Sequence, residues 1–244
     1  MKKHLFISLL VATACSATLQ AQTHPLPWEV SQSLSDHYRK RYLQFEQEPA
    51  IQSGDLVMLG NSLTEGGDWS RLLGIQAVVN RGIIGDDVPG MELRLHQVLK
   101  GNPSRICLLT GINDVSHDLP ADTIAASICR LAERILRESP STHLYLQSLL
   151  PINESFGRYR RLTGKSPLIP IINGQLREWA KSHPHRVTFI NLYPLFSTSK
   201  EPNLLRVDLT ADGLHLNEQG YLIWSKALKK VLKKKIRGEQ KGGK

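Results

Sequence analysis

The 244-residue chain is short of the residues that mark several common protein classes. Three cysteines are too few for a disulfide-framed fold, and their spacing fits no structural zinc site. The nine histidines form no ligand cluster: His183 and His185, two apart in a polar stretch, read as surface residues, and no metal is expected. Gly82 and Gly85 lack the spacing and the lysine of a phosphate-binding loop, so no cofactor is expected. No aromatic-rich binding motif accompanies the positive charge, which argues against nucleic acid as a partner. No apolar run is long enough to span a bilayer comfortably. Internal repeats at solenoid spacing are absent, and only the basic C-terminal tail is low in complexity.

The rest is ordinary for a soluble globular protein, with 41% hydrophobic and 22% charged residues and enough length for one domain with a sizeable core. The first 21 residues read as an export signal. Lys2 and Lys3 give a positive start, Leu5 to Leu19 is mostly apolar, and Ala21 offers a small residue at a cleavage point. Residues 22–244 would then be the mature single domain, periplasmic or secreted. A lipoprotein signal at Cys15 is the weaker option, because Ala12-Thr13-Ala14 lacks the leucine such signals carry. Cys107 and Cys129 would remain, and Cys107 lies in an apolar run that reads as a buried thiol.

Formal net charge is +9, and loss of the leader would leave 29 basic against 22 acidic residues. Lys229, Lys230, Lys233, Lys234, Lys235, Arg237, Lys241 and Lys244 crowd the end against Glu239 alone. The tail (about 229–244) reads as a solvated helix end. A weak contact with an anionic surface is the sharper alternative.

Short apolar runs alternate with helical patterns. Leu56–Leu59, Ala77–Asn80, Ile106–Thr110, His143–Leu149 and Val187–Leu192 read as strands with both faces covered. Helices are expected at about 28–46, 90–99, 121–138, 171–182 and 217–235, the last with an apolar stripe through Leu222, Ile223, Ala227, Leu228, Val231 and Leu232. Strands separated by helices imply a parallel sheet between two helical layers, with ligands bound beyond the carboxyl ends of the strands. The Gly- and Pro-bearing stretch 151–170, after the fourth strand, is long enough to wall such a site.

Four short motifs fall on that edge: Gly60-Asn61-Ser62-Leu63-Thr64, Gly82-Ile83-Ile84-Gly85-Asp86, Gly111-Ile112-Asn113-Asp114 and Asp212-Gly213-Leu214-His215. A serine hydroxyl attacks well only if a base takes its proton, and His215 is the candidate base for Ser62. Asp212 would fix the imidazole tautomer and stabilise the imidazolium. Leu214 and Leu216 would anchor the turn by burial while His215 points outward. The anionic oxygen of a tetrahedral intermediate needs preorganised donors. Candidates are the Ser62 N–H, the Gly85 N–H and the Asn113 amide. Taken singly, each motif also has a bland reading as a turn or helix cap. Their joint place on one edge is what points to chemistry. Thr64 stands where the lipase nucleophile elbow Gly-x-Ser-x-Gly has its last glycine, which argues against the α/β-hydrolase fold.

The four motifs resemble those of the SGNH hydrolase superfamily, the GDSL-type esterases and lipases, over about residues 54–233. The resemblance implies a flavodoxin-like three-layer sandwich with a five-stranded parallel sheet. It also implies Ser62 as nucleophile, His215 as base, Asp212 as its partner, and Ser62, Gly85 and Asn113 as oxyanion hole. Gly85 rather than Gly82 matches the family glycine, because an Asp follows it. Asn61 departs from the Asp that many members carry. Residues 61–69 and 80–95 look most like the platelet-activating-factor acetylhydrolase type. Three functions stay open. The first is an exported esterase removing short acyl groups, above all acetyl, from glycans, with Trp69 and Tyr159 available to stack on sugars. The others are a lipid-directed esterase and a non-catalytic binding module on the same fold.

Overall fold

Leu56, Val57, Met58 and Leu59 have no side that faces water, as expected of a strand covered on both faces. In the computed structural model, which describes residues 34–199 and 203–241 with side chains as far as Lys233, they form β1, Leu56–Gly60. The other strands are β2 (Val78–Gly82), β3 (Arg105–Leu109), β4 (His143–Gln147) and β5 (Val187–Ile190). All pair in parallel, in the order β2-β1-β3-β4-β5, with Gly60 opposite both Gly82 and Leu109. This is the flavodoxin-like sandwich expected from the sequence.

The helices that matter below are α1 (Asp36–Gln47), α2 (Ser62–Glu65), α3 (Trp69–Leu73), α4 (Val88–Arg94), α5 (Ile112–Ser116), α6 (Ala121–Glu138), α7 (Leu168–Lys181) and α8 (Glu218–Lys241). Strand side chains alternate between two cores. Val57, Leu59, Ile106, Leu108, Leu144 and Leu146 pack beneath Ile124, Ile128, Leu131 and Ile135 of α6 and Ile169, Ile172 and Leu176 of α7. Leu56, Met58, Cys107, Leu109 and Tyr145 face the opposite way, onto Trp69 of α3 and Trp224, Leu228 and Leu232 of α8. Cys107 is therefore the buried thiol expected, and burial pushes its pKa up to about 12.

Several boundaries differ from the sequence reading. β2 pairs from Val78 through Gly82, not Ala77 to Asn80, because Arg81 and Gly82 continue the ladder opposite Leu59 and Gly60. The helix expected at 90–99 is α4 followed by a separate short turn, His96–Leu99. α7 starts at Leu168, so Pro170 lies in its first turn, where the missing N–H has no helical acceptor to lose. α1 begins at Asp36, with the Ser35 hydroxyl accepting the Tyr38 N–H at 3.1 Å. The expected start at Trp28 and the export signal at 1–21 lie outside the described residues. α8 continues to Lys241. Among the described residues no helix is long and apolar enough to cross a membrane.

Candidate active site

β1 ends in a turn that admits little but glycine at position 60. A Cβ there would overlap Thr64 Oγ1 and the Leu109 carbonyl. This close fit lets the chain swing directly into α2, placing Ser62 at its first position. Asn61 is fully buried and caps the helix, its Oδ1 accepting the Leu63 N–H at 3.1 Å. A neutral amide makes that cap without burying the charge an Asp would bring.

His215 comes from the far end of the same edge. Its Nε2 lies 3.0 Å from Ser62 Oγ, and its Nδ1 lies 2.8 Å from Asp212 Oδ2. The turn between Asp212 and His215 is closed by the Thr210–Leu216 bridge, and the Thr210 hydroxyl donates to the His215 carbonyl at 2.6 Å. Leu214 and Leu216 are buried while the His215 side chain is 38% exposed, so the ring points out to the site as expected. Asp212 Oδ1 accepts the N–H groups of His215 (2.7 Å) and Leu214 (2.9 Å). Burial raises the Asp212 pKa, but the His215 ring, the Leu214 N–H, the Tyr159 hydroxyl and the His215 N–H together hold it well below the usual carboxylate range.

Tyr159 is the residue whose role sequence reasoning missed. Its hydroxyl donates to Asp212 Oδ2 at 2.7 Å and lies 2.9 Å from His215 Nδ1. It comes from the loop after β4, which also bonds the Asp212–His215 turn through Asn153 N–H to the Gly213 carbonyl at 2.7 Å. A lone tyrosine in a Gly- and Pro-bearing loop gave no stronger signal than a sugar-stacking aromatic. Trp69 is a correction of the same kind. It is 2% exposed, donates its Nε1–H to the Thr64 carbonyl at 2.7 Å, and packs edge-to-face on Trp224 at 4.7 Å. Such aromatic pairs contribute about 0.5–1.5 kcal/mol beyond their burial. Trp69 braces α2 and offers no face to a ligand.

Gly85 sits in the loop after β2 with φ +80°, a left-handed conformation that a side chain would strain. The loop is gripped from both sides. The preceding N–H, of Ile84, donates to Glu65 Oε2 at 2.6 Å, and Glu65 is paired with His37 (3.0 Å) and Arg41 (3.4 Å) of α1. The following residue, Asp86, is buried with Arg94 in an ion pair at 2.7 Å. Arg94 also donates to the carbonyls of Gly60 and Arg81, each at 3.1 Å. The Asp86 carbonyl in turn receives the Asn113 side-chain amide at 2.7 Å. One buried pair thus ties together the segments bearing Ser62, Gly85 and Asn113. Burial pushes Asp86 up to about 7, against the pull of Arg94, and it likewise pushes Asp114, which accepts the Val88 N–H, up to about 6. Among the described residues, neither the Ser62 nor the Gly85 backbone N–H has a protein acceptor.

A cleft of about 350 Å³ opens beside Gly85. Ile84, Asp87, His117 and Arg161 are among its walls.

A parallel three-layer sandwich with serine, histidine and aspartate in hydrogen-bond contact at its carboxyl edge defines a class of hydrolases. The chain belongs to the GDSL-like lipase/acylhydrolase family, whose model matches residues 58–223, and it is a carboxylic ester hydrolase. Solved structures agree on the fold. A protein from Streptococcus pneumonia, provisionally described as a platelet activating factor, is 27% identical with a TM-score of 0.72, covering 80% of this chain and 92% of that one. A GDSL-like lipase from Bacteroides thetaiotaomicron is 24% identical with a TM-score of 0.70, covering 81% and 97%. An acetylxylan esterase from Geobacillus stearothermophilus, solved as a catalytic mutant, is 20% identical with a TM-score of 0.57, covering 74% and 94%. No curated protein matches the chain by sequence.

Proposed function

We propose that the protein is an exported serine esterase that removes short acyl groups, chiefly acetyl, from glycans through an acyl-enzyme. Ser62 Oγ attacks the ester carbonyl while His215 Nε2 takes its proton. Asp212 holds the ring and stabilises the imidazolium. The Ser62 N–H, the Gly85 N–H and the second N–H of the Asn113 amide receive the oxyanion. His215 then returns the proton to the leaving alcohol, and a water activated by the same ring hydrolyses the acyl-enzyme. The observation that carries this reading is the 3.0 Å contact from His215 Nε2 to Ser62 Oγ in a ring already bonded to Asp212.

A sugar-bearing ester is supported by the cleft at Gly85. Ser35, Asp87, His117 and Arg161 share its walls with Leu34, Ile84 and Leu93, a mixed polar lining that suits a hydroxyl-rich alcohol part. The fold admits such an activity, since the Geobacillus protein is an acetylxylan esterase. Export rests on the leader at 1–21, with the periplasm or the medium as destination. A lipid-directed esterase is the second reading. Ile84 and Phe156, 51% and 39% exposed near Gly85 and Gly213, favour it.

The test is hydrolysis of p-nitrophenyl esters, acetate through palmitate, by the mature protein and by Ser62→Ala. Activity should peak at acetate and fall by about 10⁴-fold or more in the variant. Rates that rise with chain length would move the assignment to lipids. An active Ser62→Ala protein would remove Ser62 as nucleophile.

A further inference from the structure

The loop after β4 carries three arginines around Tyr159: Arg158, Arg160 and Arg161. All three are exposed. Arginines elsewhere in the described chain sit against a partner: Arg81 on Glu48, Arg94 on Asp86, Arg206 on Asp208, Arg105 on the Gly54 carbonyl, Arg177 over the Phe189 ring. Among the described residues, no carboxylate stands within ion-pair distance of Arg158, Arg160 or Arg161. Acids nearby are already engaged. Asp118 is paired with Lys165 at 2.7 Å and feels the Arg161 charge only at longer range, Asp87 is paired with His117 at 3.5 Å, and Glu154 accepts the Ser166 N–H at 2.8 Å.

One of these cations, Arg161, borders the cleft beside Gly85, together with Asp87 and its partner His117. Arg158 stands against Tyr159: burial and Asp212 push that phenol up to about 12, and the Arg158 guanidinium pulls the other way. Tyr159 itself is bonded to Asp212. Three guanidiniums held on one short loop repel each other, and an anion bound among them relieves that cost. Guanidinium forks match carboxylate oxygens in two parallel bonds.

We propose that Arg161, assisted by Arg158, selects esters whose alcohol part carries a carboxylate, namely O-acylated acidic sugars. A uronate ring holds its carboxylate at a fixed distance from its acylated hydroxyl. One rigid molecule can therefore place the ester carbonyl between Ser62 and Gly85 and its carboxylate at Arg161. This assignment rests on the esterase mechanism proposed above and narrows its substrate.

The experiment compares kcat/KM for an acetylated methyl glucuronoside, for the same sugar with its carboxylate methyl-esterified, and for acetylated glycerol phosphate. The proteins are the mature enzyme, Arg161→Gln, Arg161→Lys and the double variant Arg158→Gln/Arg161→Gln. The acid-to-neutral ratio is internal to each protein, so a general loss of activity cancels. It should be about tenfold or more in the parent, as for one charge-assisted contact. It should shrink at about 1 M salt, be partly kept by Arg161→Lys, and approach unity in the double variant. A parent ratio near one, or a ratio unchanged in the double variant, would overturn the assignment. Preference for the glycerol phosphate ester over the uronate would overturn the carboxylate in favour of a phosphate. Failure of the parent on p-nitrophenyl acetate would instead count against the esterase mechanism.

Discussion

Asp212 and Asp86 are carboxylates on one sheet edge, and their surroundings treat them in opposite ways. Asp212, 16% exposed, takes donors on both oxygens and is held far below its usual pKa. Asp86, with no exposed side chain, has a single charged partner and an Oδ1 with no donor, and is pushed up to about 7. The first arrangement suits a group that must stay ionised beside a ring that gains and loses a proton in each cycle. The second suits a fixed joint. Arg94 reaches Asp86 and the carbonyls of Gly60 and Arg81 at once, so it sets the spacing of the segments that carry the proposed oxyanion donors. Local turn chemistry builds the histidine side. Long-range burial of charge builds the oxyanion side.

The largest effect should come from breaking the buried joint. Arg94→Met leaves Asp86 without its cation, and removing one member of a buried pair costs about 3–5 kcal/mol. Urea denaturation at pH 8 measures it. A loss below about 1 kcal/mol would mean that the pair carries little of the edge. Next comes the donor that the joint aims. Asn113→Ala should lower kcat about 10²–10³-fold, equivalent to about 3–4 kcal/mol of transition-state stabilisation. KM and stability should change little, because the amide is one contact on an otherwise intact α5. An equal fall in kcat and stability would point to misplacement of the Asp86 loop.

Opposite pKa shifts imply opposite pH dependence. Asp114 has its folded pKa raised to about 6, so the native state binds its proton more tightly than the unfolded chain does. The resulting cost is absent below about pH 4, grows as pH rises, and is complete above about pH 6. Asp114→Asn, which keeps an acceptor for the Val88 N–H, should therefore gain about 1–3 kcal/mol relative to the parent between pH 4 and pH 7. Asp212 is depressed, so its contribution is present above the unfolded pKa and is lost as pH falls through the folded one. Asp212→Asn should be destabilised at pH 7, and the difference should vanish in strong acid. Parallel pH curves for the two variants would break the comparison.

Sequence reading succeeded where a local rule was sufficient. Apolar runs marked the strands, and the serine, glycine and asparagine that follow the first three runs lie beyond the carboxyl ends of β1, β2 and β3. The Asp212–His215 turn is readable because both partners lie three residues apart. What stayed hidden is long-range. The buried Asp86–Arg94 pair has no local signature, since nothing in their neighbours' identities says that α1 and the β2 loop will cover them. Trp69 looked available to a ligand because burial against Trp224, far along the chain, has no local signature. Pro170 read as a loop residue, although a first helical turn accepts it equally well. The export signal is legible in sequence and lies outside the described residues.

Tyr159 offers the smallest effect and the closest test of how the histidine side is held. Asp212 takes the Tyr159 hydroxyl along with the His215 ring on one oxygen, while two backbone N–H groups fix the other. Tyr159→Phe removes one donor and keeps the ring packed near His215. One hydrogen bond to a charged acceptor contributes about 1.5–3 kcal/mol at most, and a partly exposed one less, so a loss of about 1 kcal/mol and a several-fold drop in kcat are expected. KM should hold, because the hydroxyl faces Asp212 and not the cleft. The acid limb of the kcat profile should also move, since Asp212 would then share its charge with His215 alone, and a purely structural role would leave that limb in place. An unchanged kcat and an unchanged acid limb would show that the backbone donors of the turn suffice, and would leave the Asn153 bond to Gly213 as the support that the loop after β4 gives the histidine side.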